Sequence, residues 1–264
     1  MYSFDYQRPI TRAAAAAAFS GDARYLAGGQ SLIQAMKLRL SSSERLVDLG
    51  GAPELRGICI DGDRIVIGAM STHASVAQST DVQRSTPALA ELAGGIGDAM
   101  VRNMGTIGGS LANADPAACY PAAVLGLRAT VHTDKRQIAG DDFFTGVFAT
   151  ALKPGELITA VSFPIGTRAA YVKFKQPASR FALVGVLVNR GPGGVRVAVT
   201  GAKGSVFRCK PLEDALNRNF TPEAAKAVAI SEAGINADIH ASAAYRSAMI
   251  SVMASRAVAA VLAR

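Results

Sequence analysis

The chain is poor in the residues that build metal centres and disulfide frameworks. Its 264 residues include three cysteines and three histidines. Cys59, Cys119 and Cys209 lie 60 and 90 residues apart, spacings that fit neither a zinc knuckle nor an iron–sulfur cluster motif. They read as buried free thiols in a reducing compartment. His73, His132 and His240 are too far apart in sequence to form a metal-ligand pair. Charged residues make up 18% of the chain, below the roughly 25% of an average soluble protein, so part of the surface is expected to be covered by partners. No apolar run reaches the ~18 residues that a membrane span needs.

What is present points to a folded, ligand-holding chain. Half of the residues are apolar, enough to bury a large core and to exclude disorder. The net charge of +8 is spread along the chain without a basic, aromatic-interleaved run, which argues against nucleic acid. Arg8 and Arg12 precede the run Ala13 to Phe19, but Asp5, Pro9 and the alanine content make this a helix rather than a targeting signal.

Hydrophobic periodicity and turn residues divide the chain into three parts. Residues 1–55 read as a β-turn-α-β unit, with a helix over Thr11 to Ser20, a glycine turn, and a second helix from near Ser31. Residues 56–166 open with a hairpin at Asp61-Gly62 and contain a helix from Pro87 to Gly94. Residues 167–264 read as three antiparallel strands, turning at Gly191 to Gly194, followed by an alanine-rich helical tail interrupted near "INADIH". The fold class is α+β.

Two glycine segments carry the chemistry. Ala27, Gly28, Gly29, Gln30, Ser31 and Leu32 form one; Thr106, Ile107, Gly108, Gly109 and Ser110 form the other, followed by Asn113 and Asp115. Neither is a Walker A loop or a G-x-G-x-x-G fingerprint. Backbone N–H groups in such turns make concave nests for phosphate oxygens, so the pair implies a pyrophosphate gripped from two sides.

The segments "LAGGQSLIQAMKLRL", "RNMGTIGGSLANADPAA", "VTGAKGSVFR" and "IHASAAYRSAMISVMASRAV" together resemble the FAD-binding medium subunit of the molybdenum hydroxylases, the group that includes aerobic carbon monoxide dehydrogenase. The resemblance runs over essentially the whole chain. It implies a two-part FAD-binding domain, a small β-α-β part and a larger antiparallel part, ahead of a C-terminal sheet with helices. It implies FAD pyrophosphate binding by Ala27 to Leu32 and Thr106 to Ser110, with Asn113 and Asp115 at the cofactor. Lys175 in "KFKQ" matches a lysine near the flavin; a solvated strand lysine is the alternative. The first loop has no histidine, so the FAD is expected to be non-covalent. Cys119 and Arg180 stand where related chains often carry acidic residues.

The resemblance further implies a molybdopterin-binding large subunit and a [2Fe-2S] small subunit as partners, assembled as a dimer of heterotrimers in the cytoplasm, with no catalytic residue or metal site in this chain. A self-sufficient FAD-dependent oxidoreductase and a redox-inert nucleotide-binding module are the competing readings. The substrate is expected to be read by another chain.

Overall fold

An alanine-rich helix supplies the crossover that makes the N-terminal sheet parallel. In a computed structural model, which describes residues 1–264, β1 (Asp5–Gln7) leads through α1 (Arg12–Ala18) to β2 (Ala23–Leu26). The next helix, α2 (Leu32–Lys37), returns the chain to β3 (Arg45–Asp48), which lies between the other two strands and parallel to both. Thr11 caps α1 by accepting a hydrogen bond from the Ala14 N–H. Ala15, Ala23, Val47 and Leu49 form the buried contact of this layer, together with Leu157 from the next part of the chain.

Asp61-Gly62 turns β4 (Ile58–Asp61) onto β5 (Arg64–Gly68), with Gly62 at φ +58°. Six helices follow: α3 (His73–Gln78), α4 (Thr80–Ser85), α5 (Pro87–Gly94), α6 (Ala99–Met104), α7 (Ile107–Asn113) and α8 (Tyr120–Gly126). After β6 (Thr130–Thr133) and β7 (Gln137–Ala139), a short helix α9 (Gly140–Phe143) and a small hairpin of β8 (Phe144–Gly146) and β9 (Ala149–Thr150) lead to β10 (Ile158–Pro164). This last strand inserts between β5 and β6, giving an antiparallel sheet in the order β4-β5-β10-β6-β7. Tyr120, Phe143 and Phe163 are fully buried in the core between this sheet and the helices.

The C-terminal sheet pairs β11 (Arg168–Lys175), β12 (Ala182–Gly191) and β13 (Gly194–Thr200) antiparallel, as the sequence pattern implies. A fourth strand, β14 (Phe207–Arg208), extends it beyond the three expected, because two residues are too few to show alternation. Ala182 to Asn189 are buried without a break, since both faces are covered. Leu187 and Ala198 pack into the core beside α8. Val184, Val186 and Val188 pack under α10 (Lys210–Arg218), α11 (Pro222–Lys226) and α12 (Ala243–Leu262). Arg246 fixes α12 by donating to the carbonyls of Leu183 at 2.6 Å and Gly201 at 2.9 Å, and to Asp238 at 2.6 Å.

Two expectations change. Cys119 and Cys209 are buried free thiols, but Cys59 is exposed on β4, whose outer residues Cys59 to Asp61 lack a covering layer. The helical tail is absent over 227–242, a longer break than alanine propensity implies. No helix is long and apolar enough to cross a membrane.

The helix α8 meets the C-terminal sheet at Gly126 against Leu187: a Cβ on Gly126 would lie 2.4 Å from Leu187 Cδ2. Leu187→Ala should destabilise the chain by about 2–5 kcal/mol through the cavity it leaves. Gly126→Val should cost about 1–3 kcal/mol or more by overpacking the same contact. Denaturant midpoints of the two variants check both values.

Candidate functional site

The glycines bring three backbones together. A Cβ on Gly28 would lie 2.0 Å from the Met104 carbonyl oxygen and 2.8 Å from Gly105 Cα. One on Gly105 would lie 2.6 Å from His73 Nε2, and one on Gly108 would lie 2.6 Å from Ala69 Cβ. Only Gly29, at φ +69°, needs glycine for its dihedral. The close approach implied by the glycines is therefore first between segments of the protein itself.

This stacking leaves donors unspent on one side and spends them on the other. The backbone N–H groups of Gly28, Gly29, Gln30, Ser31 and Leu32 have no acceptor within the chain. Ser31 caps α2 by position without a side-chain hydrogen bond, so its hydroxyl is also free. The second segment is not a loop: Ile107 begins α7, with Thr106 as N-cap. There the Ile107 N–H donates to Ser71 O, Gly108 N–H to Ala69 O, and Gly109 N–H to Thr106 Oγ1. Thr106 keeps a free backbone N–H, and Ser110 and Asn113 keep unpaired side-chain groups. The backbone cradle expected from sequence is thus unequal in its N–H donors, with Thr106 alone on the second segment, because the α7 start and its bonds to the turn after β5 consume the rest.

Both segments line one cleft of about 930 Å³, within the range of sites that enclose a large ligand. Ala27 to Leu32, Thr106, Gly108, Gly109, Ser110, Asn113 and Asp115 all border it. Ile107 does not: it is fully buried and faces the core. Asp115 Oδ1 accepts from the Ala117 N–H at 2.8 Å, an Asx turn that follows Ala114 in the left-handed conformation, φ 48°. Its first task is to reverse the chain from α7 toward α8.

Lys175 also lies away from the cleft, whereas Lys173 lines it. Lys175 is the exposed last residue of β11, beyond the point where the register shifts past Leu183, an extra residue on β12 between the partners of Phe174 and Lys175. Lys173 Nζ donates to the carbonyls of Gly95 and Arg180, each at 2.8 Å, and to Cys119 Sγ at 3.5 Å.

Sequence reasoning did not place His73, Tyr25 or Phe181 at the cleft, which each of them lines. Their approach depends on contacts across the chain, such as Tyr25 Oη donating to Gly155 O at 3.1 Å. His73 follows the Thr72 cap of α3 and is buried, with Nδ1 unpartnered. Burial, and then the nearby Arg102 guanidinium, lower its pKa from 6.5 to about 4. It is neutral at neutral pH.

A concave row of free N–H groups over a cleft of this size suits a large anionic ligand of the dinucleotide class. Comparison with known proteins makes the class specific. Residues 2–166 match the family model described as the FAD binding domain in molybdopterin dehydrogenase. The carbon monoxide dehydrogenase medium chain of Hydrogenophaga pseudoflava is 35% identical, covering 99% of this chain and 98% of the relative. The nicotine 6-hydroxylase medium subunit of Paenarthrobacter nicotinovorans is also 35% identical, over 90% of this chain and 89% of its own. A solved carbon monoxide dehydrogenase from H. pseudoflava, lacking the Mo-pyranopterin moiety, superposes with a TM-score of 0.91 at 36% identity, over 98% of this chain and 97% of that one. The chain belongs to the family of FAD-binding domains of molybdopterin dehydrogenases.

The lowered pKa of His73 makes stability depend on pH. Between pH 6.5 and 4 the unfolded chain binds a proton that the folded one refuses, so stability falls as pH drops through that window. The loss from this group is about 3 kcal/mol. In His73→Gln the thermal midpoint should fall less steeply between pH 6.5 and 4 than in the wild type; equal slopes would assign the acid sensitivity elsewhere.

Proposed function

We propose that this chain is the FAD-binding electron-transfer subunit of a molybdenum-containing hydroxylase of the carbon monoxide dehydrogenase medium-subunit type. It takes electrons from [2Fe-2S] clusters on a small subunit, whose source is a molybdopterin-binding large subunit, and passes them to an external acceptor. The observation that carries the reading is the row of free N–H groups from Gly28 to Leu32 above the cleft, in a chain whose whole length aligns with such medium subunits.

Bound FAD supplies the redox chemistry. The chain's residues supply position and exclude bulk water. Ala27 to Leu32 hold the pyrophosphate through their backbone, with Thr106 N–H, the Ser110 hydroxyl and the Asn113 amide completing the set. Asp115 shapes the wall. Gly108 and Gly109 act by letting α7 sit close to Ala69 and Ala27. Lys173 takes the place that sequence reasoning gave to Lys175. The first loop holds no histidine, cysteine or tyrosine to link the flavin, so binding is non-covalent.

Residues 1–55 and 56–166 would form the two cofactor-binding parts, and residues 167–264 would close the cleft. Assembly as a dimer of heterotrimers in the cytoplasm accompanies this reading. The substrate is left to the large subunit: relatives of equal identity belong to a carbon monoxide dehydrogenase and a nicotine 6-hydroxylase.

The test is spectroscopic. The complex purified with its partners should show flavin absorbance at one FAD per copy of this chain. Ser110→Leu, which fills the cleft without touching an internal hydrogen bond, should weaken FAD binding by about tenfold or more, a loss of about 1.4 kcal/mol, with the thermal midpoint of the FAD-free chain unchanged. A wild-type complex that binds no FAD on addition of the cofactor would overturn the proposal.

A further inference from the structure

Exposed leucines gather at the far end of the helix whose start borders the cleft. In the run Lys37-Leu38-Arg39-Leu40 at the end of α2, Leu38 is 70% and Leu40 79% exposed, and Lys37 and Arg39 are exposed as well. The Arg39 guanidinium lies over the exposed Tyr2 ring, with Cζ 5.3 Å from its centroid, so an aromatic face joins the same surface. A single exposed leucine is ordinary, whereas two of them flanking a cation beside an aromatic ring make a contact patch.

The backbone presents this patch against local preference. α2 ends in a Schellman turn, in which the Leu40 N–H donates to Ala35 O at 2.9 Å and the Arg39 N–H to Met36 O at 3.1 Å. Arg39 holds the left-handed position of that turn, φ 59°, which glycine adopts freely and a residue with a Cβ does not. Leu40 holds the position whose apolar side chain commonly folds back on the last helical turn, yet it stands in solvent. Backbone strain of this kind collects where a side chain serves something beyond the fold. The charges are open too. Neither Lys37 nor Arg39 forms an ion pair. Of the acids nearest in sequence to the patch, Asp5 pairs with Arg45 at 2.9 Å, and Glu44 is exposed at the entry to β3, beside Asp22 at the cleft. Lys37 suits the C-terminal end of a helix, but that role asks for neither leucine.

We propose that Lys37 to Leu40, with Tyr2, form a docking knuckle for a partner subunit whose complementary face is an apolar socket edged by carboxylates. The inference rests on the multi-subunit reading above. Leu38 and Leu40 enter the socket, and Arg39 pairs with a carboxylate at its edge while its flat face stays on Tyr2. Burial of the leucines supplies affinity, and the two unpaired cations select an acidic rim and fix its orientation. The six residues of α2, about 9 Å of helix, separate the knuckle from the free N–H groups at the cleft, so a partner seated here is adjacent to the cofactor site.

The experiment measures assembly of the full chain with its co-expressed large and small subunits, beside the thermal midpoint of the chain alone. Leu38→Asp combined with Leu40→Asp should weaken assembly by about a hundredfold, and Arg39→Glu by about tenfold. Both leucines are exposed, so these variants fold. Arg39→Gly separates docking from folding: relief of the left-handed conformation should raise the thermal midpoint by about 2 °C while assembly weakens by about tenfold. A residue that serves only the fold would lower the midpoint and leave assembly unchanged. Wild-type assembly in every variant, with one FAD per chain, would overturn the proposal. So would variants that lose self-association of the chain, or binding to phosphatidylglycerol vesicles, in place of assembly, since the patch would then be a contact between copies or with a membrane. A wild-type complex that assembles and binds no FAD would instead overturn the proposed function.

Discussion

The site depends on one contact, the apposition of Gly28 to the backbone of Met104 and Gly105. With a gap that a single Cβ would overfill, the turn after β2 lies directly on the end of α6. That apposition joins the N-terminal parallel layer to the helical part of the second. The second part is held just as closely from below. His73 N–H donates to Gly105 O, Ile107 N–H donates to Ser71 O, and Thr72 bridges to Thr106. Packing backbone on backbone in this way settles the α6–α7 junction with its own hydrogen bonds, and leaves the facing turn of Gly28 to Leu32 with donors that only a ligand or water can satisfy.

The remaining wall comes from the C-terminal sheet. Ala182 N–H donates to Ala117 O and Gly201 N–H to Pro116 O, so the turn after α7 is stitched to β12 and to the end of β13. Arg246 then ties Leu183 and Gly201 to α12. A residue on the last helix thus holds the strand ends on which the Asp115 turn rests. This explains why a chain whose glycine segments lie in its first half needs its C-terminal part to complete one cleft. The chain's contribution to chemistry is placement and electrostatic field, as in other proteins whose cofactor performs the reaction.

Much of the fold was legible because local rules were strong. The Asp61-Gly62 hairpin, the Pro87 helix start and the turn at Gly191 to Gly194 each follow from residue types that admit few conformations. The site was legible in part. Gly28, Gly29, Ser110 and Asn113, far apart in the chain, border one cleft. Ile107 turned inward because the segment became a helix, and Lys173 rather than Lys175 borders the cleft, Lys175 being the exposed end of β11. Cys59 is exposed because β4 is an edge strand whose residues Cys59 to Asp61 lack a covering layer, which composition does not reveal.

The sequence by itself determined that two glycine-bearing segments exist, that the class is α+β, and that its cysteines and histidines are widely spaced along the chain. These follow from propensity, periodicity and spacing, which act over a few residues. Tertiary structure alone decided which donors stay free and which lysine reaches the cleft. Each of those depends on the approach of segments distant in the chain, where burial and register, rather than local preference, set the outcome.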